Sequence, residues 1–179
     1  MELAKPILSV IYREEHVLKE FLKALAVDHL SEPFAFASIQ NYYSKEMGGS
    51  LLKVFLSLTG LIKKEELVSF KLWAMKKEKD YSSHGKRQLN IDPGYVDENH
   101  LVLTSSKKRG GRLYLGKGVY AEIEYLFLYG GFRALYWTYA DYRDKKVVDF
   151  FEKVRKAFLD ELKGTKHGSE LRLLSFTEY

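Results

Sequence analysis

The spacing of apolar residues changes period along this chain, and that change restricts the folds open to it. Over residues 14–29, Val17, Leu18, Phe21, Leu22 and Leu25 recur at helical spacing, leaving Lys19, Glu20 and Lys23 for water. Between residues 101 and 136 the period falls toward two. Segments 101–104, 112–115, 119–128 and 132–136 read as strands, with tight turns at Gly116-Lys117-Gly118 and Gly130-Gly131. That series predicts an antiparallel meander. A last stripe of Val147, Phe151, Val154, Phe158 and Leu162 predicts an amphipathic helix over 144–163. Helices beside a meander give an α+β fold: a mixed, largely antiparallel sheet with helices packed on it.

The N-terminal half reads as a βα-type opening. Residues 6–12 form an apolar strand, the helix of 14–29 is broken by Ser31-Glu32-Pro33, and residues 34–36 start a second extended segment, as in a βαβ unit or a split version of it. Residues 41–49 suit a surface connection or a short helix closed by Gly48 and Gly49. From 50 to 80 the pattern reads as helical with a break near Thr59-Gly60, and Leu67, Phe70 and Ala74 form the second helix's apolar face. Neither repeats nor a low-complexity linker interrupt the 179 residues, so a single domain over 1–179 is expected.

Composition narrows the chemistry. The 46% hydrophobic and 30% charged content is that of a soluble globular protein, large enough to bury a core. The absence of cysteine removes disulfides, thiolate catalysis and cysteine-ligated zinc. A Cys-free, Lys/Glu-rich balance has a thermophile-like cast. Lacking a leader-like start or an apolar run near the roughly 20 residues that span a bilayer, the chain is expected in the cytoplasm, with no membrane partner. A net charge of +5 is compatible with phosphate or nucleic-acid ligands but is modest for a dedicated basic arm.

The densest polar signature is Arg87-Gln-Leu-Asn90-Ile-Asp92-Pro93-Gly94-Tyr95. Leu89 and Ile91 alternate as in a strand, while Asp-Pro-Gly is turn chemistry, so Asp92 is expected at a strand end, facing a cleft. Lys107, Lys108, Arg109 and Arg112 join two predicted strands. If those strands are neighbours, Arg87, Lys107 and Arg112 lie near Asp92 and can bind a phosphate or carboxylate through forked hydrogen bonds. A solubilising hairpin tip is the competing use, favoured for Lys108 and Arg109.

Several segments in this order resemble the family called domain of unknown function 4416. They include Tyr42-Tyr43-Ser-Lys-Glu46-Met47-Gly48, the Asn90-to-Tyr95 signature, residues 101–107, Arg112-Leu-Tyr114-Leu115-Gly116, Gly118-Val-Tyr-Ala-Glu122 and Trp137-Thr-Tyr-Ala-Asp141-Tyr142-Arg143. The resemblance covers nearly the whole chain and implies no established activity. Ala140 stands where the family commonly has Pro, and residues 34–39 depart from its usual acidic, threonine-containing form.

Some members carry a GTP-binding label, which the residues here do not support. Gly111 to Gly118 fits seven positions of a P-loop without the Mg²⁺-ligating Ser or Thr, and it reads strand–turn–strand where phosphate cradling needs a loop opening a helix. The five histidines show no metal-ligand spacing. Asp92, Glu122 and Asp141 could hold Mg²⁺ if they converge; otherwise Glu122 lies on a solvated sheet face and Asp92 caps its turn. Asp141 and Arg143 suit an ion pair fixing the last helix, or a site. Tyr42, Tyr43, Tyr114, Tyr120, Trp137 and Tyr139 suit core packing, or base stacking if exposed together.

The candidate ligand-binding residues are therefore Arg87, Asn90, Asp92, Tyr95, Lys107, Arg112, Glu122, Asp141 and Arg143. The function they suggest is binding of a phosphorylated ligand, a nucleotide or RNA. The alternatives are a Mg²⁺-dependent phosphoester hydrolase or transferase, or a structural, partner-binding protein.

Overall fold

The computed structural model describes residues 1–177 and 179. Its centre is β1 (Leu3–Tyr12), buried along almost its whole length. After it come α1 (Glu15–Lys23), β2 (Val27–Leu30), α2 (Ala37–Met47), β3 (Leu52–Leu58), β4 (Ile62–Lys63) and α3 (Leu67–Asp80). The second half contributes β5 (Leu89–Val96), β6 (His100–Ser105), β7 (Leu113–Gly116), β8 (Val119–Leu128), β9 (Gly131–Ala134) and α4 (Lys145–Lys166). These strands make one sheet in the order β2-β3-β1-β5-β6-β8-β7, with β4 paired to β1 and β9 to β8. Every pairing between these strands is antiparallel.

Both faces of β1 are covered, which explains its unbroken apolar run. Leu8, Val10 and Tyr12 pack with Phe21 of α1 and Phe70, Trp73 and Ala74 of α3, beneath Phe176 of the C-terminal tail. On the other face, Ile7 joins Phe55, Tyr125, Tyr142 and the Val147, Phe151 and Val154 stripe of α4. Ile11 meets Ile39 and Met47 of α2. The α4 stripe matches the sequence expectation, and Asp144 caps its first turn by accepting from the Lys146 amide.

Several N-terminal expectations are corrected. The first helix ends at Lys23, and Val27–Leu30 forms an edge strand on β3. Since β1 and β2 are both antiparallel to β3, which lies between them, the opening is a split strand–helix–strand unit with its second strand here instead of at 34–36. Phe34 makes only a single bridge to Lys53, and α2 starts at Ala37, closing at Gly48 with φ 70°. Residues 52–58 are strand, not helix: both faces of β3 are buried, so its apolar run carries no period to read.

The main correction concerns Asp92-Pro93-Gly94. It is no turn; it lies inside β5, opposite Ser9, Leu8 and Ile7 of β1. β6 pairs with β5 only from Gly94 onward. A Cβ on Gly94 would come within 2.0 Å of the Val102 carbonyl oxygen, so only glycine lets the strands approach there. Pro93, having no N–H, stands where β6 leaves, and its carbonyl accepts from Thr104 Oγ1 at 2.6 Å. Beyond it, α3 takes over the open edge: Glu78 accepts from the Ile91 amide at 2.9 Å and Lys71 donates to the Ile91 carbonyl at 3.4 Å.

Candidate functional site

Where β6 diverges from β5, the sheet opens into a cavity of about 540 Å³. Its walls come from β5 (Asn90, Asp92), β6 (Leu103, Thr104, Ser105), β8 (Glu122, Glu124), α3 (Lys71, Glu78) and α2 with its tyrosines. The proline-and-glycine step inside a central strand thus creates the hollow instead of turning the chain.

Charges in the walls are matched in pairs. Lys53 Nζ lies 2.5 Å from Asp141 Oδ2, and Lys71 Nζ lies 3.1 Å from Asp92 Oδ1. Burial works against ionised Asp92, but the Lys71 and Lys53 charges outweigh it and hold the carboxyl below its ordinary range. Asn90 links this pair to Arg87, donating to Asp92 at 3.0 Å and accepting from Arg87 at 2.9 Å. Arg87 also bonds Glu78 at 3.0 Å and Glu46. Burial raises the Glu78 carboxyl despite Lys71, the Ile91 amide and Arg87.

Arg112 commits four of its five N–H groups. Its Nε meets Glu122 Oε2 at 3.1 Å, and its other nitrogens donate to Ser105 Oγ, the Lys107 carbonyl and Tyr139 Oη at 2.8, 2.7 and 2.7 Å. It anchors the 105–112 segment over β8. Gly111 rests on that roof: a Cβ there would meet Trp137 Cγ at 3.0 Å and Glu122 Oε1 at 3.1 Å. Beside Glu122 stands Glu124, whose carboxyl is pushed up to about 8 by burial and by Glu122's charge.

The mouth is basic and aromatic. Lys107, Lys108 and Arg109 are exposed, and none forms a salt bridge among the described residues. Lys107 Nζ donates to Tyr42 Oη at 2.6 Å and lies 4.6 Å from its ring centroid, while Arg109 sits 4.3 Å from that of Tyr139. Tyr43 packs edge-on against Tyr42, and burial raises its phenol.

Among the sequence candidates, Arg87, Asn90, Asp92, Lys107, Arg112, Glu122 and Asp141 line this cavity. Two do not. Tyr95 packs with the α1–α3 core beneath Lys64, and Arg143 donates to the Thr138, Leu135 and Tyr136 carbonyls. Asp92's cation is Lys71, not Arg87, Lys107 or Arg112. Asp141 pairs with Lys53 of β3 and not with its neighbour Arg143. Glu122 is buried, not on a solvated face. Tyr114 and Tyr120 pack at a tilt against each other across the β7–β8 hairpin, whose tight Gly116-Lys117-Gly118 turn rules out a phosphate loop. Sequence reasoning missed Lys53, Lys71, Glu78 and Glu124. Their signal was charge at core positions: Lys53 interrupts an apolar strand, and Lys71 and Glu78 share the buried stripe of α3 with Phe70 and Ala74.

The convergence that would let Asp92, Glu122 and Asp141 hold Mg²⁺ is not seen. Each of these carboxylates faces its own cation, and among the described residues no group of three His, Asp or Glu side chains is arranged to hold a metal ion. One unforeseen trio, Ser57, His29 and Asp28, resembles a nucleophile set without its wiring. His29 Nδ1 meets both Ser57 Oγ and Asp28 Oδ1, and the serine donates directly to the aspartate.

Residues 2–158 match the family model described as domain of unknown function 4416. The chain belongs to that family. No curated protein and no solved structure matches it. Among the described residues, no helix of this family member is long and apolar enough to cross a membrane.

Proposed function

We propose that the cavity binds a phosphorylated small molecule of mononucleotide size. Its phosphate would sit at Lys107, Lys108 and Arg109, and its ring among Tyr42, Tyr43 and Tyr139. The observation that carries this reading is the charge balance: among the described residues, seven cationic side chains line the hollow against five carboxyl groups, and the cations without a carboxylate partner are the three at the mouth. An anion bound there gains charge-assisted hydrogen bonds without breaking an internal pair. The volume supports one small ligand, within the roughly 300–1,000 Å³ typical of such sites. Strand-binding surfaces are open grooves, which places a free nucleotide ahead of RNA.

Calorimetric titration with mononucleotides and with a short single-stranded oligoribonucleotide tests this. Saturable binding of nucleotides is expected. It should weaken by about tenfold or more when Lys107, Lys108 and Arg109 are all changed to Ala, with thermal stability unaltered. Absence of saturable heat from every nucleotide at millimolar concentration would refute it, and binding confined to the oligoribonucleotide would replace it with strand recognition.

A further inference from the structure

Three carboxylate oxygens deep in the cavity wall, Glu122 Oε1 and both oxygens of Glu124, receive no donor from any other described residue, and the only hydrogen bond open to them is a proton shared between the two carboxyls. Glu122 and Glu124 are 3% and 1% exposed. They stand two residues apart on β8, so they project from the same face of the strand. The shared proton serves two of these oxygens, and the acceptor still left without a donor costs about 1–3 kcal/mol. Arg112 holds the other oxygen of Glu122, commits four of its five N–H groups there and to Ser105, Lys107 and Tyr139, and makes no hydrogen bond to Glu124. Lys53 and Lys71, buried cations of the same cavity, are committed to Asp141 and Asp92.

We infer that Glu122 and Glu124 form the recognition subsite for the donor-bearing end of the ligand, an amino-substituted ring edge whose N–H groups point at these oxygens. The inference rests on the phosphorylated-ligand reading and specifies its class: an anionic group at the mouth and an amino group at the floor, as in an amino-bearing nucleotide. The cavity is bipolar in the same sense, with cations free of carboxylates at its rim and acceptors short of donors in its wall.

A proton balance accompanies this recognition. Acting on Glu124 are its burial, the charge of Glu122 on its own strand together with a hydrogen bond between the two carboxyls, Asp141 ahead of α4 and, in the opposite sense, Arg112 before β7. With its carboxyl near 8, Glu124 carries a proton at neutral pH in the empty protein. Ligand N–H donors favour the ionised form, so binding at pH 7 transfers that proton from Glu124 to buffer. No covalent bond is made or broken.

The test uses the intact protein and matched nucleotide pairs: AMP against IMP, and CMP against UMP, each differing by an amino group replaced with an oxo group. Amino-bearing members are expected to bind at least about tenfold tighter, because a site built to receive N–H groups rejects analogues lacking them. Titrations in two buffers of different ionisation enthalpy should show release of nearly one proton. Glu124→Gln should abolish the preference and the release. The comparison between pairs and the proton count need only the natural protein, so the inference is testable even if that variant folds poorly. Equal affinities within each pair overturn the subsite and leave the phosphate reading standing, whereas silence from all four nucleotides removes both.

Discussion

Lys53 Nζ and Asp141 Oδ2 lie 2.5 Å apart across 88 residues of sequence, with their side chains only 8% and 7% exposed. The pair ties the middle of the sheet to the 3₁₀ turn of Ala140–Arg143 that launches α4. Lys53 Nζ also sits 4.8 Å from the Tyr142 ring centroid. A lysine inside an apolar strand and a candidate site aspartate thus close one wall of the cavity.

Breaking that pair from one side is costly because it strands a buried charge. Lys53→Met should lose about 3–5 kcal/mol of stability, and the double change Lys53→Met with Asp141→Leu should recover a large share of it. Urea unfolding of the four proteins in the cycle measures this. Strictly additive losses would show that the two groups are not coupled.

Gly94 meets a different constraint, since its approach to the Val102 carbonyl leaves no volume for a side chain. Gly94→Ala should destabilise by more than about 3 kcal/mol or prevent folding, through forced separation of β5 and β6. Gly110→Ala, at a position with open space around it, should change stability by less than about 1 kcal/mol. Parallel thermal melts decide between them.

The Glu124 carboxyl gives stability a distinctive pH slope. Its folded value near 8 lies above its ordinary value of 4.5. Between those values the native state binds a proton that the unfolded chain does not, so the contribution is full below 4.5 and disappears as pH rises through 8. Melting temperature should therefore fall between pH 5 and 9 by an amount reflecting up to a few kcal/mol. Glu124→Gln should flatten this part of the profile. A wild-type curve already flat across that window would contradict the assignment.

On the opposite face, Phe176 stacks on Phe70 at 4.2 Å between ring centroids, and its amide donates to buried Glu66 at 2.7 Å. Phe176→Ala should cost about 3 kcal/mol. Nucleotide affinity should be unchanged, because this cluster does not line the cavity. Comparing denaturation with titration for one variant separates the two effects.

Residues in α4 and the β7–β8 hairpin declared themselves in the sequence because their information is local. The stripe from Val147 to Phe158 needs one face of one helix, and Gly116-Lys117-Gly118 needs only its own backbone angles. Residues 52–58 resisted for the opposite reason: a strand buried on both faces has no alternation to show.

What the chain alone determined was its class, an α+β sheet protein with a closing amphipathic helix, and a polar signature around Asp92. The three-dimensional fold decided what that signature means. Asp-Pro-Gly has turn propensity, yet Asp92, Pro93 and Gly94 are held extended within a strand that has eight register partners along β1, and the pairing of β5 with β6 stops there. Lys53, Lys71 and Glu124 became cavity groups only when distant segments buried them together. Pairing and burial between remote residues outweigh the small local preference of any tripeptide, and no local pattern records them.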